Sequence, residues 1–220
     1  MKDLTIIMCT PNLVPEKWAE FHKEKLLEAS GGCPIITISR KPLDWGKNLI
    51  QTEYGVVNLF EQKLRGAKLA KTPYIAIADD DTLYPEQHFQ FRPNKEGFFY
   101  NLNRWHLFTW GRSYYFHKPR CGGGLMIATR NAIIKAIENR LQNLDKMRHG
   151  LHGELGDKRV MLKYDLIKAE TFYTKAPVVS FYHQKSMDKL NQRRRKYPWP
   201  VRAYDIPIWG KAKNLRRKFV

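Results

Sequence analysis

Cysteine, acidic residues and long apolar runs are all scarce in this 220-residue sequence, and each scarcity excludes something. The three cysteines, Cys9, Cys33 and Cys121, are odd in number and too far apart for a C-x-x-C motif. That argues against a zinc ribbon, a dithiol redox site and a disulfide-stapled secreted scaffold, and it fits buried or semi-buried thiols in a reducing cytoplasm. No stretch approaches the ~20 apolar residues of a spanning helix. The apolar run after Met1-Lys2-Asp3 ends at Cys9, too brief for a signal-peptide core and without a small-residue cleavage site. The expectation is a soluble cytoplasmic protein, at most peripheral to a membrane.

Acids are outnumbered, 21 Asp and Glu against 39 Lys and Arg, for a net charge of +18. A polyanionic partner is implied: nucleic acid, an anionic membrane surface or phosphorylated small molecules. The excess is uneven. Residues 184–220 hold 12 Lys and Arg against two acids, Asp188 and Asp205. With 43% hydrophobic and 13% aromatic residues the remainder is globular in composition and long enough for a substantial core. We therefore divide the chain into a domain over 1–183 and a basic, aromatic extension over 184–220.

Periodicity points to an α/β fold. Leu4 to Met8 is a continuous β-branched and apolar run, as in a strand buried on both faces. Pro15 suits the first turn of a helix with apolar positions Trp18, Phe21, Leu26 and Leu27, closed by Gly31-Gly32. Pro34 to Ile38 reads as a second strand, so the opening is β-α-β with a right-handed crossover and a mostly parallel sheet. Val57 to Ala70 has a helical apolar face at 57, 60, 64, 67 and 70, broken by Thr72-Pro73, and Tyr74 to Ala78 is a third buried strand. Residues 89–116 predict one or two antiparallel strands around Asn101-Leu102-Asn103. A helix from Asn131, as N-cap, to Met147 follows, then a loop over His149–Gly156, a short helix over Asp157–Ile167 and a strand over Val178–Tyr182. Beyond His183, with Pro198, Pro200 and Pro207, the sequence reads as a tail or lid that packs by its aromatics instead of forming a core.

The third strand runs into Asp79-Asp80-Asp81, where ligands sit in open α/β sheets, outside the carboxyl ends of strands. Carboxylates so close repel and raise one another's pKa unless a cation neutralises them. Mg²⁺ or Mn²⁺ bound through one or two carboxylates and diphosphate oxygens would do so; a solvated, helix-capping loop is the alternative. Gly122-Gly123-Gly124 either lets a sugar approach the backbone or simply makes a tight turn. Trp105, Trp110, Tyr114 and Tyr115 either stack on a ligand or fill the core. His149 and His152 lack the partners of a zinc site.

The stretch Leu64 to Asp81, with Arg65 and Gly66 in its helix and Asp79-Asp80-Asp81 at its end, resembles the helix-strand-DxD signature of family 2 glycosyltransferases. The similarity runs over roughly residues 4–183 and includes the Thr10-Pro11-Asn12 strand end and the Gly122-Gly123-Gly124 loop before Arg130. It implies a GT-A fold: a Rossmann-like, mostly parallel sheet flanked by helices, with a small antiparallel part. It also implies a nucleotide-sugar donor, a UDP-sugar as the first expectation, with Thr10, Pro11 and Asn12 at the base and Arg65, Asp79, Asp80, Gly123 and Gly124 around the donor. Asp79, Asp81 and His183 are the implied metal ligands. The family's acidic pair at the start of a later helix is broken here into Gly153-Glu154-Leu155-Gly156-Asp157, which makes Asp157 the first choice for the general base and Glu154 the second; helix-capping acids are the alternative.

For the acceptor, Arg193-Arg194-Arg195-Lys196-Tyr197-Pro198-Trp199, Trp209-Gly210-Lys211 and Arg216-Arg217-Lys218 suit either an anionic membrane or phosphate contacts with base stacking. Further cations at Arg92, Lys95, Arg104, Arg112, Lys118, Arg120, Lys146, Arg148, Lys158 and Arg159 favour a long polyanion. The comparison that fits is with bacteriophage glycosyltransferases acting on 5-hydroxymethylpyrimidines in DNA, which expose the base by flipping it. A polysaccharide or lipid-linked acceptor, or a non-catalytic nucleic-acid-binding protein, are the other readings.

Overall fold

The computed structural model describes residues 2–147, 153–157, 161–185 and 201–220. The β-branched run near the amino terminus forms β1 (Leu4–Thr10), buried along its whole length. Pro15 precedes α1 (Glu16–Ser30), and Gly31 closes that helix in the left-handed conformation (φ 55°). β2 (Ile35–Ser39) pairs in parallel with β1, and β3 (Lys47–Ile50), which the sequence pattern did not disclose, adds a half-exposed parallel edge. α2 (Val56–Leu69) then returns to β4 (Tyr74–Asp79), which pairs in parallel with the other side of β1.

The main sheet is completed by β6 (Phe98–Asn101), β9 (Met126–Thr129) and β10 (Glu170–Phe172), in the order β10-β6-β9-β4-β1-β2-β3. Among its described strands β9 is antiparallel to its neighbours β4 and β6, and the other pairings are parallel. A second sheet has the order β12-β8-β7-β11-β5, from β5 (Thr82–Leu83), β7 (Arg104–Phe108), β8 (Tyr115–His117), β11 (Val178–Tyr182) and β12 (Arg202–Ala203). Among the described residues before 201, the further helices are α3 (Glu86–Gln90), α4 (Arg130–Gln142) and α5 (Leu162–Asp165).

Several expectations need correction. The antiparallel strands expected around Asn101-Leu102-Asn103 are β6 and β7, but they pair with β9 and β8 and not with each other, because the chain crosses there from the main sheet to the second. Asn101 is fully buried, and its amide donates to Thr174 Oγ1 (2.8 Å). α4 starts one residue before Asn131 and ends at Gln142, because Asn143 leaves helical geometry and a 3₁₀ turn, Leu144–Lys146, carries the chain to Met147. In α1, Leu27 is 44% exposed while Trp18 and Leu26 are buried. In α2 the inward face includes Asn58, Gln62 and Lys63 beside Phe60 and Ala67, whereas Val57 is 38% exposed. Gly66 lets that helix sit on β1, since a Cβ there would lie 2.8 Å from the Ile7 side chain.

The carboxyl-terminal residues belong to a core. β13 (Asp205–Ile206) and β14 (Gly210–Lys211) form a short antiparallel ribbon, and α6 (Ala212–Phe219) follows. Ile206, Ala212, Leu215 and Phe219 are buried in a cluster with Trp18, Leu83, Leu107, Val179 and Phe181. Arg193 to Trp199, with the stretches 148–152 and 158–160 that contain His149, His152, Arg148, Lys158 and Arg159, lie outside the described residues. No helix among the described residues is long and apolar enough to cross a membrane.

Candidate active site

β4 delivers the three aspartates to the carboxyl edge of the sheet, next to the end of β1, and their side chains diverge. Thr10 donates its hydroxyl to the carboxylate of Asp80, and the indole N–H of Trp18 donates to the Asp80 carbonyl (2.8 Å), so α1 fixes the turn. His22 bonds the Thr82 carbonyl (3.0 Å); burial pushes its pKa down to about 4, which keeps it neutral. Burial, reinforced by Asp81 and opposed by the Thr10 hydroxyl, lifts Asp80 to about 8. Asp79 rises to about 6 through burial and the charge of Asp81, against the pull of Lys63.

Asp81 faces His183, whose Nε2 lies 3.6 Å from its carboxylate. Residues just beyond the ends of β4 and β11 thus meet, because β11 pairs with β5 directly after the aspartates. Among the described residues no three His, Cys, Asp or Glu side chains form a closed metal-binding set. Asp81 and His183 nevertheless fit a divalent cation of the open kind, which takes one or two protein donors and completes its shell with substrate phosphate and water. Asp79 is turned the other way, against Gly124 and Tyr84; its backbone N–H donates to the Tyr84 hydroxyl (2.9 Å).

The glycine run explains itself sterically. A Cβ on Gly122 would lie 2.4 Å from Arg104 Nη1, one on Gly123 would lie 2.9 Å from Lys63 Nζ and 3.3 Å from Glu154 Oε2, and one on Gly124 would lie 2.2 Å from Asp79 Oδ2. Each glycine makes room for a different charged side chain, so backbone without side chains forms a floor on which two cations and two carboxylates converge. The sequence singled out Asp79 and Glu154. It missed Lys63 and named Arg104 only as one of many cations suited to a polyanion.

Beyond this floor opens a cleft of about 580 Å³, lined by Arg104, Lys118 and Arg120 on one side and by Glu154 and Asp157 on the other. The loop bearing the two acids is held from behind. Arg140 and Asp165 are both fully buried and paired, and Arg140 also donates to the carbonyls of Gly153 (3.0 Å) and Glu154 (3.1 Å). Asp165 accepts the Gly156 N–H (2.7 Å), and Tyr100 donates its hydroxyl to the Leu155 carbonyl (2.9 Å). Glu154 is therefore directed at Gly123, close enough to raise Asp79, while Asp157 lies against the Cys121 thiol, which burial raises to about 12 with help from Asp157.

The other expected donor residues fall nearby. Thr10 and Pro11 border a small hollow of about 160 Å³ with Arg40, Asn58 and Gln62. Thr10, Asn12 and Asp80 line a neighbouring cavity of about 400 Å³ on the α1 side. Asn12, at φ 54°, caps the strand end by accepting the Arg40 and Lys41 N–H groups (both 2.9 Å). Arg65 is not brought to the aspartates: its guanidinium donates to the Ile50 carbonyl (3.0 Å) at the end of β3. Tyr115 is core, Trp105 is partly buried, and Trp110 is 38% exposed.

No protein-family model and no curated protein matches the sequence. Solved structures do match. That of 2-C-methyl-D-erythritol 4-phosphate cytidylyltransferase from Thermus thermophilus superposes with a TM-score of 0.51 at 9% identity, covering 84% of this chain and 95% of that one. The chain has a GT-A-like fold. Other matches are a glycosyltransferase involved in glycosylation of the major capsid of PBCV-1 (TM-score 0.44, 13% identity, 88% of this chain and 98% of that one) and mannosyltransferase PcManGT from Pyrobaculum calidifontis, solved with GDP-Man and Mn²⁺ (TM-score 0.46, 15% identity, 82% and 56%). At 9% identity the likeness to the cytidylyltransferase is one of fold, and the parallel pairing of β4 with β1 accounts for the position of the aspartates at a strand end.

Proposed function

We propose that this protein is a glycosyltransferase that moves a sugar from a nucleotide-sugar donor, a UDP-sugar in the first instance, to an acceptor hydroxyl. One observation carries the reading: a strand-end aspartate paired with a histidine lies beside a glycine floor, and an acid-bearing cleft opens across that floor. The donor's diphosphate would lie over the floor and its base near Thr10, Pro11 and Asn12. Asp81 and His183 would hold Mn²⁺ or Mg²⁺, which when bound offsets charge on the diphosphate.

Glu154 is the better-placed general base, because it faces Gly123 and the aspartates while Asp157 borders the cleft beside Cys121. It would take the proton of the acceptor hydroxyl as that oxygen attacks the anomeric carbon, an effect worth roughly 10²–10⁴-fold. A single displacement inverts that carbon. The cationic wall of Lys118 and Arg120 suits an acceptor that carries phosphate. Because positive charge also extends well beyond the carboxyl-terminal stretch, as a long polyanion requires, we favour DNA bearing 5-hydroxymethylpyrimidine over a lipid-linked or polysaccharide acceptor at a membrane. A purely nucleic-acid-binding role would leave the converging carboxylates without a purpose.

The test incubates the purified protein with Mn²⁺, labelled nucleotide sugars and either hydroxymethylated DNA, unmodified DNA or acceptor-bearing vesicles. Label in hydroxymethylated DNA alone is the expected result, and label in the vesicles would move the acceptor to the membrane. Asp81→Ala and Glu154→Gln should abolish transfer without loss of fold. If Asp157→Asn is inactive while Glu154→Gln is not, the base is Asp157. Release of pyrophosphate from a nucleoside triphosphate, with no sugar transfer from any donor, would replace this reading by nucleotidyl transfer.

A further inference from the structure

Lys63 is a charged residue on the inward face of a helix. Its side chain is nine-tenths buried, at 6% exposure, and its ammonium lies 5.6 Å from the Phe60 ring centroid. Among the described residues it makes no hydrogen bond and no ion pair within 4.0 Å. The stem is enclosed, while the ammonium is not among the fully enclosed polar atoms and stays open to an anion arriving over Gly123. Arg104 repeats the pattern: its Nε is buried without a hydrogen-bond partner, and its Nη1 occupies the space a side chain at residue 122 would fill. Both cations lie over the same glycine floor.

We infer that Lys63 and Arg104 form an anion subsite, built into the protein, for the phosphate oxygens of the donor's leaving diphosphate. The subsite goes beyond the metal pair Asp81 and His183, and its catalytic part rests on the glycosyltransferase reading. When the bond from the anomeric carbon to the diphosphate oxygen breaks, its electron pair stays on that oxygen and the leaving group gains one negative charge. An ammonium already held beside it by an enclosed stem stabilises that charge with little reorganisation, as preorganised donors do elsewhere. The glycines serve this geometry: side chains at 122 or 123 would displace the cations.

Titration calorimetry with inorganic pyrophosphate and with UDP, in buffer containing EDTA and then with Mn²⁺, tests the subsite. Lys63→Met keeps the length and apolar stem of the side chain and removes the charge. A charge-assisted hydrogen bond lost from such a site lowers affinity by about 10- to 100-fold. That loss is expected for both probes without metal, together with an unchanged or higher melting temperature of the unliganded protein and recovery of affinity in Lys63→Arg. Arg104→Met, expected to weaken the same probes, is the second variant should Lys63→Met not fold. Unchanged affinity in a folded variant overturns the inference, as does a wild type that binds neither probe. Wild-type binding that Lys63→Met weakens, combined with no sugar transfer from any donor, would leave the subsite standing and remove the glycosyltransferase reading.

Discussion

The ring of Phe219, one residue from the carboxyl end of the chain, lies 5.0 Å from the imidazole of His183, which faces Asp81. Phe219 also packs on Trp18 (4.7 Å), the residue whose indole bonds the Asp80 carbonyl. The last helix thus braces both sides of the aspartate turn. Truncating a buried aromatic costs about 3–5 kcal/mol. Phe219→Ala should therefore lower stability by about 3 kcal/mol and weaken Mn²⁺ binding followed by electron paramagnetic resonance, while Phe219→Leu keeps most of both. Wild-type Mn²⁺ affinity in a folded Phe219→Ala protein would show that the helix does not support the site.

A second prediction concerns the loop that carries Glu154. Its carbonyls and one N–H are held by Arg140, Asp165 and Tyr100, so these residues act on catalysis only through the placement of that loop. Asp165→Asn leaves the buried Arg140 without a charge partner and should cost about 3–5 kcal/mol of stability. Tyr100→Phe removes one hydrogen bond, worth about 1 kcal/mol, and is the milder probe. In Tyr100→Phe we expect kcat to fall about tenfold or more, because small displacements of a catalytic group are expensive, while KM for the nucleotide sugar holds. A rise in KM with kcat intact would place the loop in donor binding.

Much of the scaffold was legible because buried parallel strands announce themselves as apolar runs: Leu4 to Met8 and Tyr74 to Ala78 lie within β1 and β4, and Val178 to Tyr182 matches β11. β3 escaped because its edge position leaves Lys47 and Ile50 exposed and its pattern uninformative. The tail misled for a different reason. Basic residues dominate α6, yet Ala212, Leu215 and Phe219 form a helical stripe that meets Trp18, a partner far away in sequence. The aspartates and Glu154 could be named because acids at strand ends and loop starts stand out. Lys63 could not, and Arg104 stood only as one cation among many, since in a chain with 39 Lys and Arg one more cation carries no signal until burial is known.

The third prediction concerns pH. Folding raises Asp80 to about 8 and Asp79 to about 6, so between the ordinary carboxylate range near 4 and pH 8 the folded protein binds more protons at these groups than the unfolded chain does. Linkage then fixes the sign: their contribution to stability is fully present at the acid end and is lost as pH rises through 6 to 8. The melting temperature of the metal-free protein should fall across that window, with other titrating groups superimposed. Asp80→Asn removes the larger share, so it should flatten the decline and stabilise the protein most at pH 8. Mn²⁺ should act in the same direction, raising the melting temperature more at pH 8 than at pH 5, because the cation competes with protons for the carboxylate cluster. Thermal melts of the wild type and of Asp80→Asn across this range, with EDTA or Mn²⁺, decide the matter; parallel curves for the two proteins would mean that Asp80 is ionised throughout and that the Thr10 hydroxyl outweighs its burial.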